Sequence, residues 1–344
     1  MKQHMTECSK STNRILRILN KNKLIAAPLA GVTTPPFRKL LRKYFDGLIY
    51  TEMVSVEGVR RKADRTLSYL SITESDQPIG VQLFGSKPEA YTEAIEVVQD
   101  YIKAEFVDIN MGCPVKKVLK SGSGCAMMKD PVNSGKIVAA AKKALGDVPL
   151  TVKIRLGWDK KNLNYNEMIK IAYEEGAEAV TVHGRTKTEM FSGVVNYDLI
   201  ADAKANAKLP IIGNGDVVDV ATYEKMLATG VDGVMIGRGM MKQPWLFESI
   251  LNGRDPSGYM TYDKLYELIK ELVRNEKIYK GEMFFLETVK KYIVWFLKGM
   301  PGAAALRNKL YMCPTETEMF VMLDEYFGRL GQSTMCSISD DAVG

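Results

Sequence analysis

Eight short apolar runs, each followed by a helical stretch, constrain this chain more than any other feature of its sequence. The runs read LIAAPLA (24–30), GLIYTEMV (47–54), IGVQLFG (79–85), FVDINMGC (106–113), LTVKIRLG (150–157), AVTVHGR (179–185), PIIGNGD (210–216) and GVMIGRGM (233–240). Each has the length of a buried strand, and several are almost continuously apolar, as strands of parallel sheets are. Between them lie amphipathic stretches such as PEAYTEAIEVVQDYIKA and NEMIKIAYEEGA. Eight strand–helix units with starts roughly 23–44 residues apart predict an α/β fold, a (β/α)8 TIM barrel. A doubly wound open sheet is the competing architecture, but it rarely needs eight strands in unbroken alternation.

The pattern changes after residue 250. YDKLYELIKELVRNEKIYKG, FFLETVKKYIVWFLKGM, PGAAALRNKLYM and TETEMFVMLDEYFGRL carry helical periodicity and no strand. The expected organisation is a catalytic barrel over 1–250, a small all-α helical bundle over 251–331 and a flexible tail over 332–344. With 46% apolar and 26% charged residues, the composition is that of a soluble globular protein, not of a disordered, collagen-like or disulfide-stapled chain. No apolar stretch approaches the ~18–20 residues of a membrane span. The leader MKQHMTECSKSTNR is too polar for a signal peptide. Five cysteines, at 8, 113, 125, 313 and 336, include no CxxC pair, and the only histidines are His4 and His183. That set argues against a disulfide framework, a structural zinc site and any chemistry needing two histidines. No metal is expected, and a reducing cytoplasm is the expected location.

Polar or special residues sit at or near the C-terminal ends of nearly all the strand runs: Ala30, Glu52, Gln82, Asn110, Cys113, Lys153, Arg155, His183, Arg185, Asn214, Asp216, Gly237 and Arg238. Burying polar groups costs free energy, so their repetition at one end predicts a working barrel mouth. GNGD (213–216) and IGRG (236–239) end strands seven and eight, where barrels commonly hold phosphate. The alternative is two tight turns that need glycine for geometry. Lys153, mid-strand in TVKIR, suits contact with a cofactor such as a flavin, a Schiff base, or an ion pair with Glu52 or Asp108. Gln82 can donate to and accept from flavin heteroatoms. Cys113 is a buried filler or, from its place at the rim, a thiol acid. His183 is a structural residue or a hydrogen-bond partner of cofactor or substrate. The segment PVKKVLKSGSGCAMMKDP reads as a mobile loop, with Cys125 as a small filler. Basic residues gather at 14–23, 38–43, 60–65, 116–120 and 290–309 within a net charge of +6. They form solvated helix faces or a dispersed surface for a polyanion.

The segments APLAGVT, VQLFG, DINMGCPVKKV, KIRLGW, TVHGRT, IIGNGD, VMIGRGMMKQPW and WFLKGMPGAAALR, in this order, resemble the tRNA-dihydrouridine synthases, most of all the bacterial B-type subgroup. The resemblance implies an FMN-bound barrel, a helical RNA-binding domain, NADPH as reductant and tRNA as substrate. It implies reduction of the C5=C6 bond of a uridine, with hydride delivered from the reduced flavin to C6. On this likeness Pro28, Leu29 and Ala30 line the flavin through their backbone, Gln82 and Lys153 hold its ring and His183 contacts it. Asn214, Gly215, Asp216, Gly237 and Arg238 bind its phosphate arm, and Cys113 protonates C5. Asn110, Arg155, Arg185, Lys290, Lys291 and Lys298 are the expected substrate contacts, in a protein expected to act as a monomer. The Lys291-Tyr292 pair departs from the basic residue followed by His that many relatives carry. Two other readings stand beside this one: a flavin barrel reducing a free dihydropyrimidine- or dihydroorotate-like molecule, and an RNA-binding barrel without catalysis.

Overall fold

The computed structural model describes residues 13–256 and 258–339; His4 and Cys8 lie outside them. The barrel strands are β1 (Leu24–Ala26), β2 (Ile49–Ser55), β3 (Ile79–Phe84), β4 (Phe106–Asn110) and β5 (Leu150–Arg155). A hairpin of β6 (Gly157–Asp159) and β7 (Asn162–Leu163) follows, then β8 (Ala179–His183), β9 (Ile211–Asn214) and β10 (Gly233–Ile236). Apart from the hairpin, the strands form one eight-stranded parallel sheet in the order β1-β10-β9-β8-β5-β4-β3-β2. Its ends meet where Ile25 bridges Leu48 and the Ala26 N–H donates to the Leu48 carbonyl at 2.9 Å. The sheet is therefore a closed (β/α)8 barrel, as the alternation predicts.

Local signals start the crossover helices. Pro88 and Pro131 open theirs at the first turn, where the missing N–H costs nothing. The Asp130 carboxylate accepts from the Asn133 N–H at 3.0 Å, and Asp219 and Thr222 form a capping box. Along Pro88–Tyr101 the buried residues are Ala90, Tyr91, Ala94, Ile95 and Val98, one helical stripe laid on the sheet. The Arg14–Lys21 helix inserts Ile15 and Leu19 among Ile25, Leu48, Phe106 and Met235. Gly80 leaves room for the Phe106 ring, which an added Cβ would meet at 2.2 Å. The N-terminal end of the barrel is thus filled, and the polar strand ends converge at the other.

Beyond the barrel run helices Tyr262–Lys280, Phe285–Phe296, Ala303–Met312 and Glu316–Ser339, with no strand among the described residues. They join the outer barrel through one continuous apolar core. Within it Phe37 stacks on Tyr292 at 5.1 Å, and Tyr266 stacks on Phe327 at 4.7 Å.

Three expectations change. The segment read as a mobile loop contains the helix Lys116–Lys120 and a 3-10 turn Gly124–Lys129, with Cys125, Met127 and Met128 buried. Its alternating glycines and lysines hid the apolar residues that anchor it. The last helix continues through Ser339, past the expected start of a tail at 332; residues 340–344 lie outside the described residues. The β6–β7 hairpin was not foreseen, being too short to show a period. No described helix is long and apolar enough to cross a membrane.

Candidate active site

Strand register builds the floor of the mouth. Gln82 on β3 lies beside Asp108 on β4, and Asn110 beside Lys153 on β5. Thr151 Oγ1 and Gln82 Nε2 donate to the two Asp108 oxygens at 2.5 and 2.7 Å. Asn110 Nδ2 donates to Gln82 Oε1 at 2.7 Å, and Asn110 Oδ1 accepts from the N–H groups of Gly112 and Cys113 at 3.2 and 2.9 Å. A carboxylate only accepts, so Asp108 sets the orientation of both amides and, through them, the turn that presents Cys113. Asn110, expected at the substrate, is part of this chain.

Sequence reading saw Asp108 only as a possible partner of Lys153, because its role depends on register. Burial pushes Asp108 up to about 6, against the hydrogen bonds from Thr151 and Gln82 and the charge of Lys153. An unfolded aspartate titrates near ~4. The native protein thus keeps a proton that the unfolded chain has released, so this group's stabilising share is complete below about pH 4 and lost as pH rises through about 6. In Asp108→Asn that component should vanish from urea-unfolding free energies measured across this interval. Identical slopes in both proteins would assign the titration elsewhere.

Lys153 Nζ donates to Asn214 Oδ1 at 3.0 Å, and Asn214 Nδ2 donates to the Met235 carbonyl at 2.8 Å. Neither Glu52 nor Asp108 forms an ion pair with Lys153, which removes the simplest structural account of this lysine. Burial lowers its ammonium to about 8, Arg155 adding to the effect and Asp108 opposing it. His183 is buried, and its ring nitrogens have no hydrogen-bond partner among the described residues. Burial, then Lys153, Arg155, Arg185 and Arg238, hold its imidazole well below the usual range, hence neutral. The Cys113 thiol is half-buried and raised by burial, against a backbone hydrogen bond at Val115 and the charges of Arg155 and Lys153. At neutral pH it is a protonated acid.

Three arginines organise the rim after β8. Arg155 Nη1 donates to the Met190 carbonyl at 2.7 Å and Arg238 Nη1 to that of Phe191 at 3.1 Å. Arg185 donates to the carbonyls of Ser192 and Gly193 at 3.0 and 2.5 Å. Four consecutive carbonyls are thereby satisfied by side chains from three strand ends. Arg155 also donates to Gly112 and Thr186 carbonyls at 2.9 and 2.8 Å. Arg155 and Arg185, expected at the substrate, are each only 2% exposed and engaged internally; no local signal distinguishes such an arginine from an exposed one. Asp216 pairs with Arg185 and, at 2.7 Å, with Arg238. Burial opposes its ionisation, but these two partners hold it below the usual range. Asp216 thereby fixes the direction of the Arg238 guanidinium. Gly215, at φ +135, lets the chain pass His183, whose ring an added Cβ would meet at 3.2 Å. Beside it, an added Cβ at Gly237 would meet only Ala27, at 3.9 Å, which leaves its backbone open to a ligand next to Pro28, Leu29 and Ala30.

The three lysines of the Phe285–Phe296 region separate. Lys290, expected at the substrate, is 3% exposed, and its ammonium donates to the carbonyls of Tyr311 and Cys313 at 3.3 and 3.1 Å, so it is engaged internally and tethers two helices. Lys291 is half-buried and donates to the Gly31 carbonyl. Lys298 is exposed. Among the described residues no group of three or more His, Cys, Asp or Glu could hold a metal ion.

Fold and mouth together define a (β/α)8-barrel enzyme with a protonated thiol, a half-buried lysine and an open glycine backbone at the ends of its strands. The barrel superposes on a morphinone reductase variant in complex with tetrahydroNAD, at TM-score 0.52 and 12% identity over 69% of this chain and 89% of that one. It superposes equally, at TM-score 0.52 and 12% identity, on histamine dehydrogenase from Rhizobium sp. 4-9, over 74% of this chain and 49% of that one. These likenesses are of fold. The family described as dihydrouridine synthase (Dus) matches residues 24–329. The tRNA-dihydrouridine synthase B of Pseudomonas aeruginosa is 34% identical over 290 residues, 83% of this chain and 87% of that protein. That of Pasteurella multocida is 33% identical over 315 residues, 89% of this chain and 93% of that protein. The chain belongs to the dihydrouridine synthase family of oxidoreductases.

Proposed function

We propose that this protein reduces the C5=C6 bond of uridines in tRNA to 5,6-dihydrouridine, with FMN as its cofactor and NADPH as the source of electrons. The observation that carries the reading is that Cys113, Lys153 and His183 share one barrel mouth with the open backbone of Gly237. The unpartnered His183 ring and the Lys153 ammonium suit the polar edge of a flat heteroaromatic ring, and Gly215 and Gly237 with Arg238 suit its phosphate. Bound there, FMN supplies a hydride for C6 of the uracil. Lys153 offsets negative charge at the ring edge. Cys113 holds the proton for C5, kept on sulfur by burial and aimed by the Asn110 turn.

A stacked uridine cannot enter a barrel mouth, so the nucleotide must be splayed out of the tRNA fold. Lys298 and the exposed basic segments would hold phosphates and carry little sequence information. The protein would work in the cytoplasm, as a monomer. Anaerobic visible spectroscopy tests the reading. A yellow protein bleached by NADPH and recoloured by unmodified tRNA is expected. A protein that binds no FMN would overturn the cofactor, and a yellow one indifferent to tRNA would favour a small-molecule reductase.

A further inference from the structure

Gly31 stands one residue beyond Pro28–Ala30, and its peptide groups are gripped from two sides. Its N–H donates to Glu52 Oε1 on β2, and its carbonyl accepts from Lys291 Nζ. The next carbonyl, that of Val32, accepts from the Tyr292 hydroxyl at 2.7 Å. Thr34 Oγ1 then donates to Glu276 Oε1 at 2.9 Å, and Phe37 stacks on Tyr292. Glu276, Lys291 and Tyr292 all come from the Tyr262–Lys280 and Phe285–Phe296 helices.

The loop's own backbone contributes two bonds, from the Val32 and Thr33 N–H groups to the Leu29 carbonyl, each at 3.0 Å. Glu52 and Arg38, within the barrel, hold the Gly31 N–H and the Thr33 carbonyl, and the helical segment supplies Lys291, Tyr292 and Glu276. A lysine serving RNA phosphates keeps its ammonium in water, as Lys298 does. Lys291 instead loses hydration to hold one carbonyl, and burial lowers its basicity, with Lys280 adding and Glu276 and Glu52 opposing. Such a position is costly unless the contact it makes matters.

We propose that Lys291 and Tyr292 are positioning residues for the flavin: they fix the Gly31 and Val32 peptides, and so the Pro28–Ala30 backbone lining the cofactor, which makes the helical segment part of the flavin site. The proposal rests on the flavin reading above. A backbone wall stays at the right distance only if its neighbours are locked, and here both loop carbonyls, those of Gly31 and Val32, are locked from another layer of the fold.

The experiment compares full-length wild type with Lys291→Met, Lys291→Arg and Tyr292→Phe. Hydrogen exchange over residues 28–34 is followed in the apoprotein, and FMN affinity and the flavin visible band are measured on reconstitution. Removing a charge-assisted bond should speed exchange and weaken FMN binding about tenfold in Lys291→Met, and shift the band. Lys291→Arg should restore all three, and tRNA affinity of the FMN-loaded variant should stay within about twofold. Unchanged exchange and FMN affinity in Lys291→Met would overturn the proposal, whatever tRNA binding does. Should that variant not fold, Tyr292→Phe, which keeps the stack on Phe37, decides by the same readouts. A wild type that takes up no FMN defeats the flavin reading, and the exchange comparison, made without FMN, then decides the strut alone.

Discussion

Cys113→Ala retains FMN and its reduction by NADPH but loses tRNA reduction by about 10²- to 10⁴-fold, the usual worth of a general acid. The expectation comes from what surrounds the sulfur. Burial keeps the thiol protonated, and the Asn110 side chain pins its backbone N–H at 2.9 Å. Nothing in that arrangement touches Gly215, Gly237 or Arg238, where the cofactor's phosphate would sit. Alanine preserves the turn, because the Asn110 contacts are to backbone, and removes only the proton source. The check is a single-turnover experiment in which the reduced, yellow-bleached variant meets unmodified tRNA and the return of colour is timed. Recovery at the wild-type rate would take Cys113 out of the chemistry.

Lys153→Met should lower turnover by about 10²- to 10³-fold, as loss of one preorganised charge partner does in other sites. Methionine matches the stem of lysine, so the barrel wall stays filled while the cation disappears. The consequence for pH has a definite sign. The ammonium, held down to about 8 by burial, is charged below that value and neutral above it. Turnover of the wild type should therefore fall as pH rises through this region, to an extent moderated by an anionic cofactor, which raises the value. The variant should lack that alkaline limb. A limb of equal size in both proteins would place the titration on another group. Asn214 loses its donor in the variant but keeps its bond to the Met235 carbonyl, so the β9 end should hold its shape.

The barrel and most of its mouth were legible from the chain alone. Strand runs and helix starts depend on neighbours within a turn or two, and proline, aspartate and glycine mark them chemically. The polar residues in and at the ends of the strands betray the mouth for the same reason: an apolar run that carries Gln82, Cys113, Lys153 or His183 does so at a cost that local sequence displays. Lys290 and Lys298, by contrast, look alike in a linear reading. One is locked onto carbonyls of residues 311 and 313 and the other stands in water, because only packing decides which side of a helix faces a neighbour.

The same holds for the arginines and for Asp108. Arg155 and Arg185 are expected at the substrate, yet Arg155 donates to the Gly112, Thr186 and Met190 carbonyls and Arg185 to those of Ser192 and Gly193 and to Asp216. The Asp108–Gln82–Asn110 chain exists only because β3 and β4 align in one register. What the amino-acid sequence determined by itself was the architecture, the family and which residue types gather at the mouth. What the tertiary structure alone decided was direction: which charged groups are spent inside and which remain for a ligand. A charged side chain's direction depends on hydrogen-bond partners distant in sequence, and a one-dimensional pattern carries no record of them.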